Sequence, residues 1–342
     1  MVEHRSSGRG VFVRPADALP YARSNHLEVE AVQPVGTAKR ALHAAPAADG
    51  GSAYAMLVAG MVAFGGTWPA GKVAAEHVAP AVVAVVRFAL AAVLLWLWAR
   101  VAGTPVRRPA RRDLPLVLVL GLTVVFAYNL FFLYGVRHAN ATDGSILVPG
   151  LIPIVTAVLV WLALGERPTR RSVAGLLLAV AGLVVVARPG AGIDGDRLLG
   201  DLLFVGAACA WSLYTLAGRR ATARYGSVAP NVYAASTGAL LLVPVSFLDG
   251  GWSPLAHAPL QALGAIAYLS VFGTVLAFVA FYEGVRLIGA ARASSYALLV
   301  PIFGVLSAVL VLQEPLRPTL ALGGAIVLAG LWLAESGRRK SS

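Results

Sequence analysis

Two stretches of this chain carry the same punctuation. Gly135-Val136-Arg137 returns as Gly284-Val285-Arg286, and Ser145 as Ser294, both at a spacing of 149 residues. One residue is then lost, and Pro153, Glu166, Gly175 and Gly182 return as Pro301, Glu314, Gly323 and Gly330 at a spacing of 148. Apolar composition alone does not align Pro, Glu and Gly in one frame. The chain is read as an internal duplication, which constrains the fold before any local pattern does. A weaker match extends it: AFGGTWPAGK (Ala63–Lys72) and AWSLYTLAGR (Ala210–Arg219) stand 147 residues apart.

The repeated unit is built from apolar runs. The 342 residues are 58% hydrophobic and 13% charged, against about 25% charged in a soluble domain. Ten hydrophobic segments are predicted near 53–73, 81–99, 114–136, 144–164, 172–187, 198–217, 230–248, 260–285, 290–312 and 319–334. Most approach or exceed the ~18 apolar residues that mark a membrane helix. The net charge of +12 sits in short loops and tails, where it sets topology and does not point to nucleic acid. With the N-terminus in the cytoplasm, the four loops on that side hold thirteen arginines, and the five opposite hold four, Arg137, Arg188, Arg197 and Arg317. Both termini are therefore expected in the cytoplasm. Each unit has five segments, an odd number, so the second copy enters the membrane upside down relative to the first. The expected fold is all-α and polytopic, with ten transmembrane helices as two inverted five-helix repeats. Residues 53–187 form the first and 198–335 the second. Residues 1–52 read as a disordered cytoplasmic tail and 336–342 as a short basic one.

The FGGTWPAGK stretch, the Arg87-Phe88 pair, the run ANATDGSILVPGLIPIVTA and the twin turns at Gly165-Glu166 and Gln313-Glu314 resemble the EamA family of the drug/metabolite transporter superfamily. The likeness covers about residues 53–335. It implies two five-helix bundles around a central cavity, and transport, often export, of amino acids, metabolites or drugs.

Polar and aromatic residues inside apolar runs are the candidates for lining such a cavity: Trp68, Arg87, Tyr128, Asn129, Ser145, Trp211, Tyr214, Thr274, Ser294 and Tyr296. Ionisable groups at membrane depth are expensive and are kept for a task. Arg87 stands seven residues past Pro80, roughly 10 Å below that helix end at ~1.5 Å per residue. Asp143, at the outer end of the fourth segment, is a candidate partner, and the second unit offers Ser236-Thr237 at the matching place. Pro149, Pro153 and Pro301 each remove a backbone hydrogen bond inside a helix and read as hinges facing a cavity. Glu166 and Glu314 read as caps, complementing the positive end of the helices that follow them. Gly175/Gly182 and Gly323/Gly330, seven apart, give two helices one close-packing face each.

These features point to a secondary transporter of small metabolites, an exporter by alternating access, in the bacterial inner membrane. Alternatives are an organophosphate or nucleotide-sugar type carrier, which needs cations in the cavity where Arg87 alone qualifies, and a non-transporting sensor or assembly subunit. An enzyme is not expected, since no HExxH, Walker or Gly-x-Ser-x-Gly motif occurs. No cofactor, metal or nucleic acid is expected. The expected partners are a small-molecule substrate and the lipid bilayer, with the protein as a monomer or homodimer.

Overall fold

Helices account for nearly all of the residues described in this computed structural model, which are 50–338 apart from Pro105, Glu166, Arg167, 188–194, Ser227, 289–292, Ser294 and Ser295. Residues 1–49 and 339–342, most of the two predicted tails, and the candidates Glu166 and Ser294 lie outside the described residues. In chain order, α1 comprises Gly50–Gly65 and Thr67–His77, α2 is Pro80–Val101, and α3 runs from a 3-10 start at Arg111–Asp113 to His138. Then come α4 (Ala141–Leu164), α5 (Arg170–Ala187), α6 (Gly195–Tyr225) and α7 (Ala229–Leu248). α8 spans Leu260–Ser270, Val271–Leu276 and Ala277–Ile288, followed by α9 (Leu299–Leu312) and α10 (Pro318–Arg338). Among the described residues there is no strand. Among the described residues, seven helices are long and apolar enough to cross a membrane, and α9 is a shorter apolar one.

The packing is that of a protein solvated by hydrocarbon. Small residues crowd the interior, where Ala74, Ala81, Ala91, Ala179, Ala207 and Ala308 are at most 1% exposed. Large apolar side chains point outward instead: Leu162, Leu240, Phe247, Leu310 and Trp332 are each 63% to 71% exposed. Such a surface suits lipid tails, and small interior residues let helix backbones approach. The protein is an all-α, multi-pass membrane protein.

The duplication is visible in three places. First, α3 and α8, the third helices of the two units, both widen into a π-helical turn, at Gly121–Ala127 and at Val271–Leu276. These turns sit 149 to 150 residues apart, the spacing of the repeat. Second, α5 and α10 cross at their glycines. A Cβ on Gly175 would lie 2.6 Å from the carbonyl oxygen of Gly330, and one on Gly330 2.6 Å from that of Gly175. Gly182 and Gly323 stand in the same reciprocal relation, at 2.7 and 2.8 Å. Since Gly175 corresponds to Gly323 and Gly182 to Gly330, each unit offers its partner the same patch, as across a two-fold axis. Early residues of α5 meet late residues of α10, so the equivalent helices run antiparallel. That is the inverted relation expected from five helices per unit.

Third, the loops collect at two ends. At one end Asp113, at the start of α3, accepts hydrogen bonds from Arg224 and Tyr225 at the end of α6. At the other, Glu314 joins α9–α10 to α4, and Asp249 accepts from the Ala81 N–H at the start of α2 (2.9 Å). These are called the Asp113 end and the Glu314 end. Several boundaries differ from expectation. α1 begins at Gly50, inside the predicted tail, and continues to His77, because VAAEH after Lys72 is helix-forming despite its charge. α6 extends to Tyr225 for the same reason, through GRRATARY.

Candidate functional site

A cavity of about 830 Å³ lies between the two units, within the size range of small-molecule sites. Its wall takes residues from α1–α10 without exception of either unit, and most are apolar or aromatic. The lining comes from the middle of each helix and from the half nearer the Asp113 end: Met61 in α1, Leu95 in α2, Leu331 and Glu335 in α10. Among the described residues no lining residue comes from the Glu314 end, so the cavity is closed there and reaches toward the Asp113 end.

Arg87 sits at its deep end, 6% exposed. Its Nε donates to Thr274 Oγ1 (3.0 Å) and its Nη1 to Asn129 Oδ1 (3.1 Å). The guanidinium carbon stands 5.0 Å from the centre of the Phe88 ring. Both acceptors are themselves fixed by the π turns. A widened turn leaves a carbonyl without its ordinary i+4 donor. Asn129 Nδ2 takes the Val124 carbonyl (2.8 Å), and Thr274 Oγ1 takes that of Leu269 (2.8 Å), each five residues back. One cation in α2 thus ties the matching irregularities of α3 and α8, one from each unit.

The aromatic wall has two parts. Trp68 packs edge-on to Phe132 (5.1 Å between centroids) and Phe204 (5.8 Å). Trp211 meets Tyr128 at 5.0 Å and Tyr214 at 6.0 Å, and Tyr214 donates to Asn231 Oδ1 (3.0 Å). Of the residues singled out in the sequence, Trp68, Arg87, Tyr128, Asn129, Trp211, Tyr214 and Thr274 border the cavity, as do Pro149, Pro153 and Pro301. The Ala297 carbonyl, which Pro301 deprives of its i+4 donor, accepts from the Val300 N–H (3.1 Å).

Three expectations are corrected. Ser145 is fully buried away from the cavity, donating to the Thr142 carbonyl (2.8 Å) where α4 passes Gly304. Tyr296 does not border the cavity and stacks on Tyr54 (5.8 Å). Asp143 is not the partner of Arg87, because it lies at the Glu314 end, within 3.3 Å of Arg197 and 3.6 Å of Arg317. Thr215, a polar residue beside Tyr214 in the sixth segment, and Phe88, next to Arg87, also line the cavity, as do Phe132, Phe278 and Asn231, which sequence reasoning passed over. Phenylalanine in an apolar run carries no mark that separates a cavity wall from a lipid face. Asn231, one residue past Pro230, could have been found as a polar group inside the seventh segment.

Glu314 is a cap, but on another helix. Its own helix, α10, begins at Pro318. Its carboxylate instead accepts from the Ala141 N–H (3.0 Å) and the Thr142 N–H (2.9 Å), the first turn of α4, and from Lys72 Nζ (3.2 Å). Asn140, in the N-cap position, makes no side-chain cap of its own. Burial pushes the Glu314 carboxyl up, yet the hydrogen bonds from Thr142 and Ala141 and the charge of Lys72 outweigh it and hold the group below its ordinary value. With Asp143 between Arg197 and Arg317, this set of charges closes the Glu314 end. Among the described residues, no group of three or more His, Cys, Asp and Glu could hold a metal ion.

This architecture of paired five-helix units around a central cavity can be compared with known proteins. The sequence matches the EamA-like transporter family twice, over residues 51–188 and 198–335. The chain belongs to the EamA-like transporter family. Among relatives of this EamA protein is the uncharacterized transporter YyaM of Bacillus subtilis, 28% identical over 82% of this chain and 93% of the relative. Another is a probable terminal-alkyne amino-acid exporter of Streptantibioticus cattleyicolor, 29% identical over 84% of this chain and 95% of the relative. A solved crystal structure shares the fold with a TM-score of 0.61 at 22% identity, covering 85% of this chain and 99% of that one. Transport is the common description of these relatives.

Proposed function

We propose that this EamA-family protein is a secondary transporter that exports small organic solutes, amino acids and related metabolites or drugs, across the bacterial inner membrane by alternating access. The observation that carries the reading is the pairing of inverted units around one cavity, closed by charges at one end and extended toward the other. Inverted repeats give such a protein two related arrangements, with the closed end exchanged between them. The arginine count supports placing the Asp113 end in the cytoplasm, which makes the described conformation the one that loads cargo from inside. Export agrees with the name of the Streptantibioticus relative. Among the described residues the lining contains a single Lys or Arg, Arg87, which disfavours the phosphate carriers of the superfamily, since these need several cationic donors.

The test is flux in proteoliposomes. Purified protein reconstituted with a panel of radiolabelled amino acids and aromatic metabolites is expected to release at least one of them faster than protein-free vesicles. Equal release for every member of the panel, by protein shown to be folded, overturns the reading.

A further inference from the structure

We propose that the central cavity is a receptor for an organic monocarboxylate, with the guanidinium of Arg87 as its anion-binding group; this rests on the transport reading above. Three observations support it. The first is charge. Arg87 lies at membrane depth among the described residues without a carboxylate within ion-pairing distance, and its partners Asn129 and Thr274 are neutral. A buried cation held only by dipoles is costly and is stabilised by any anion that reaches it. Asp143, which could have served, is spent on Arg197 and Arg317.

The second is geometry. A guanidinium has five N–H donors. The hydrogen bonds to Asn129 and Thr274 use Nε and one side of Nη1, and Nη2 has no acceptor among the described residues. Nη2 and the second N–H of Nη1 are left to donate to the oxygens of a carboxylate. Asn129 and Thr274 are pinned to backbone carbonyls by the π turns, so they orient the fork and do not turn to follow it.

The third is the rest of the wall. Beside Arg87 the cavity is bounded by Phe88, Tyr128, Phe132, Trp211 and Phe278, apolar surfaces that suit an aliphatic or aromatic body. At the deep end Arg87 balances one negative charge; the carboxylate of the wall, Glu335, stands in the last turn of α10 toward the Asp113 end. A dianionic phosphate ester would bring a net negative charge into the same apolar space and is not the ligand this site fits.

The experiment compares acids with their uncharged amides on the detergent-solubilised full chain. The probes are 3-phenylpropanoate and 3-phenylpropanamide, hexanoate and hexanamide, and phenyl phosphate, read by thermal shift and by quenching of intrinsic tryptophan fluorescence. At least one acid is expected to bind roughly tenfold more tightly than its amide, as for a hydrogen-bonded charged group, and phenyl phosphate more weakly than the acid. Arg87→Gln is expected to abolish the acid preference, and Arg87→Lys to retain part of it. The comparison within the wild-type protein needs no variant, so misfolding of Arg87→Gln does not protect the proposal. It is overturned if no acid binds, if amides bind as well as acids, if phenyl phosphate binds most tightly, or if folded Arg87→Gln keeps the preference. Flux without acid preference would overturn this inference and leave the transport reading. Acid-selective binding without flux of any solute would do the reverse.

Discussion

Glu314 and Arg87 are both buried charges, and their neighbours give them opposite consequences. Glu314 sits where two N–H groups at the positive end of α4 and the Lys72 ammonium converge. Glu314→Gln keeps one acceptor but loses the charge, leaving Lys72 with the Ala139 carbonyl (3.3 Å) and no carboxylate. The expected cost is about 1–3 kcal/mol, seen as a lower Tm in detergent. The pH dependence has a definite sign. A carboxylate whose native value is depressed contributes stability that is complete above its unfolded value and is lost as pH falls through the native one. Wild-type protein should therefore lose Tm relative to Glu314→Gln below about pH 4, and the gap between them should be constant from about pH 6 to 8. Arg87→Ala is expected to insert and fold, yet to lower flux at least tenfold, a cost of about 1.4 kcal/mol in transport. Arg87→Lys should restore only part, for want of the planar fork; normal flux in Arg87→Ala at wild-type abundance would contradict this. The depth of Arg87 was legible, because an arginine inside AVVAVVRFALAAVLL announces itself. Its partners were not, since Asn129 and Thr274 come from 42 and 187 residues away. Nor was the α4 cap, which Glu314 reaches across 173 residues.

Helices α5 and α10 make one close contact between the two units, backbone against backbone. The seven-residue glycine spacing showed that each helix has a flat face, and the repeat frame showed that the faces are equivalent. Which helix each face meets had to come from the structure. A side chain at Gly175 has no room, since its Cβ would stand 2.3 Å from the Ala334 N and 2.6 Å from the Gly330 oxygen, both backbone atoms. Gly175→Ala should lower Tm and Gly175→Leu more so, by overpacking of about 1–3 kcal/mol or beyond. Gly264→Ala in α8, where nothing lies within 4 Å of the new Cβ, should be neutral or raise stability by up to about 1 kcal/mol. A Gly175→Leu protein as stable as Gly264→Ala would refute the close crossing. The π turns of α3 and α8 left no trace in the sequence. One extra residue per turn inside LVLVLGLTVVFAYNL moves no charge and needs no proline, so an apolar run reads the same with or without it.

For the molecule as a whole, the two ends have different jobs. The duplication and the odd number of helices in each unit were enough to anticipate antiparallel halves, and the helix ends lying on one side follow from them. A reporter fused after Ser342 is expected to read cytoplasmic, and a periplasmic signal would reverse the assignment of the Asp113 end. What the sequence could not supply is the state of the cavity, because closure depends on where Asp143, Arg197, Arg317 and Glu314 meet in space. The central claim is that the halves exchange which end is closed. It is tested by a single reactive site in the wall, Thr215→Cys, with the native Cys209 replaced by serine, in oriented proteoliposomes. A membrane-impermeant maleimide is applied from either side. The account predicts labelling from both sides, faster from the Asp113 end, with Glu314→Gln raising the rate from the Glu314 end at the expense of the other. Labelling from the Asp113 end alone, unchanged by Glu314→Gln, would contradict it.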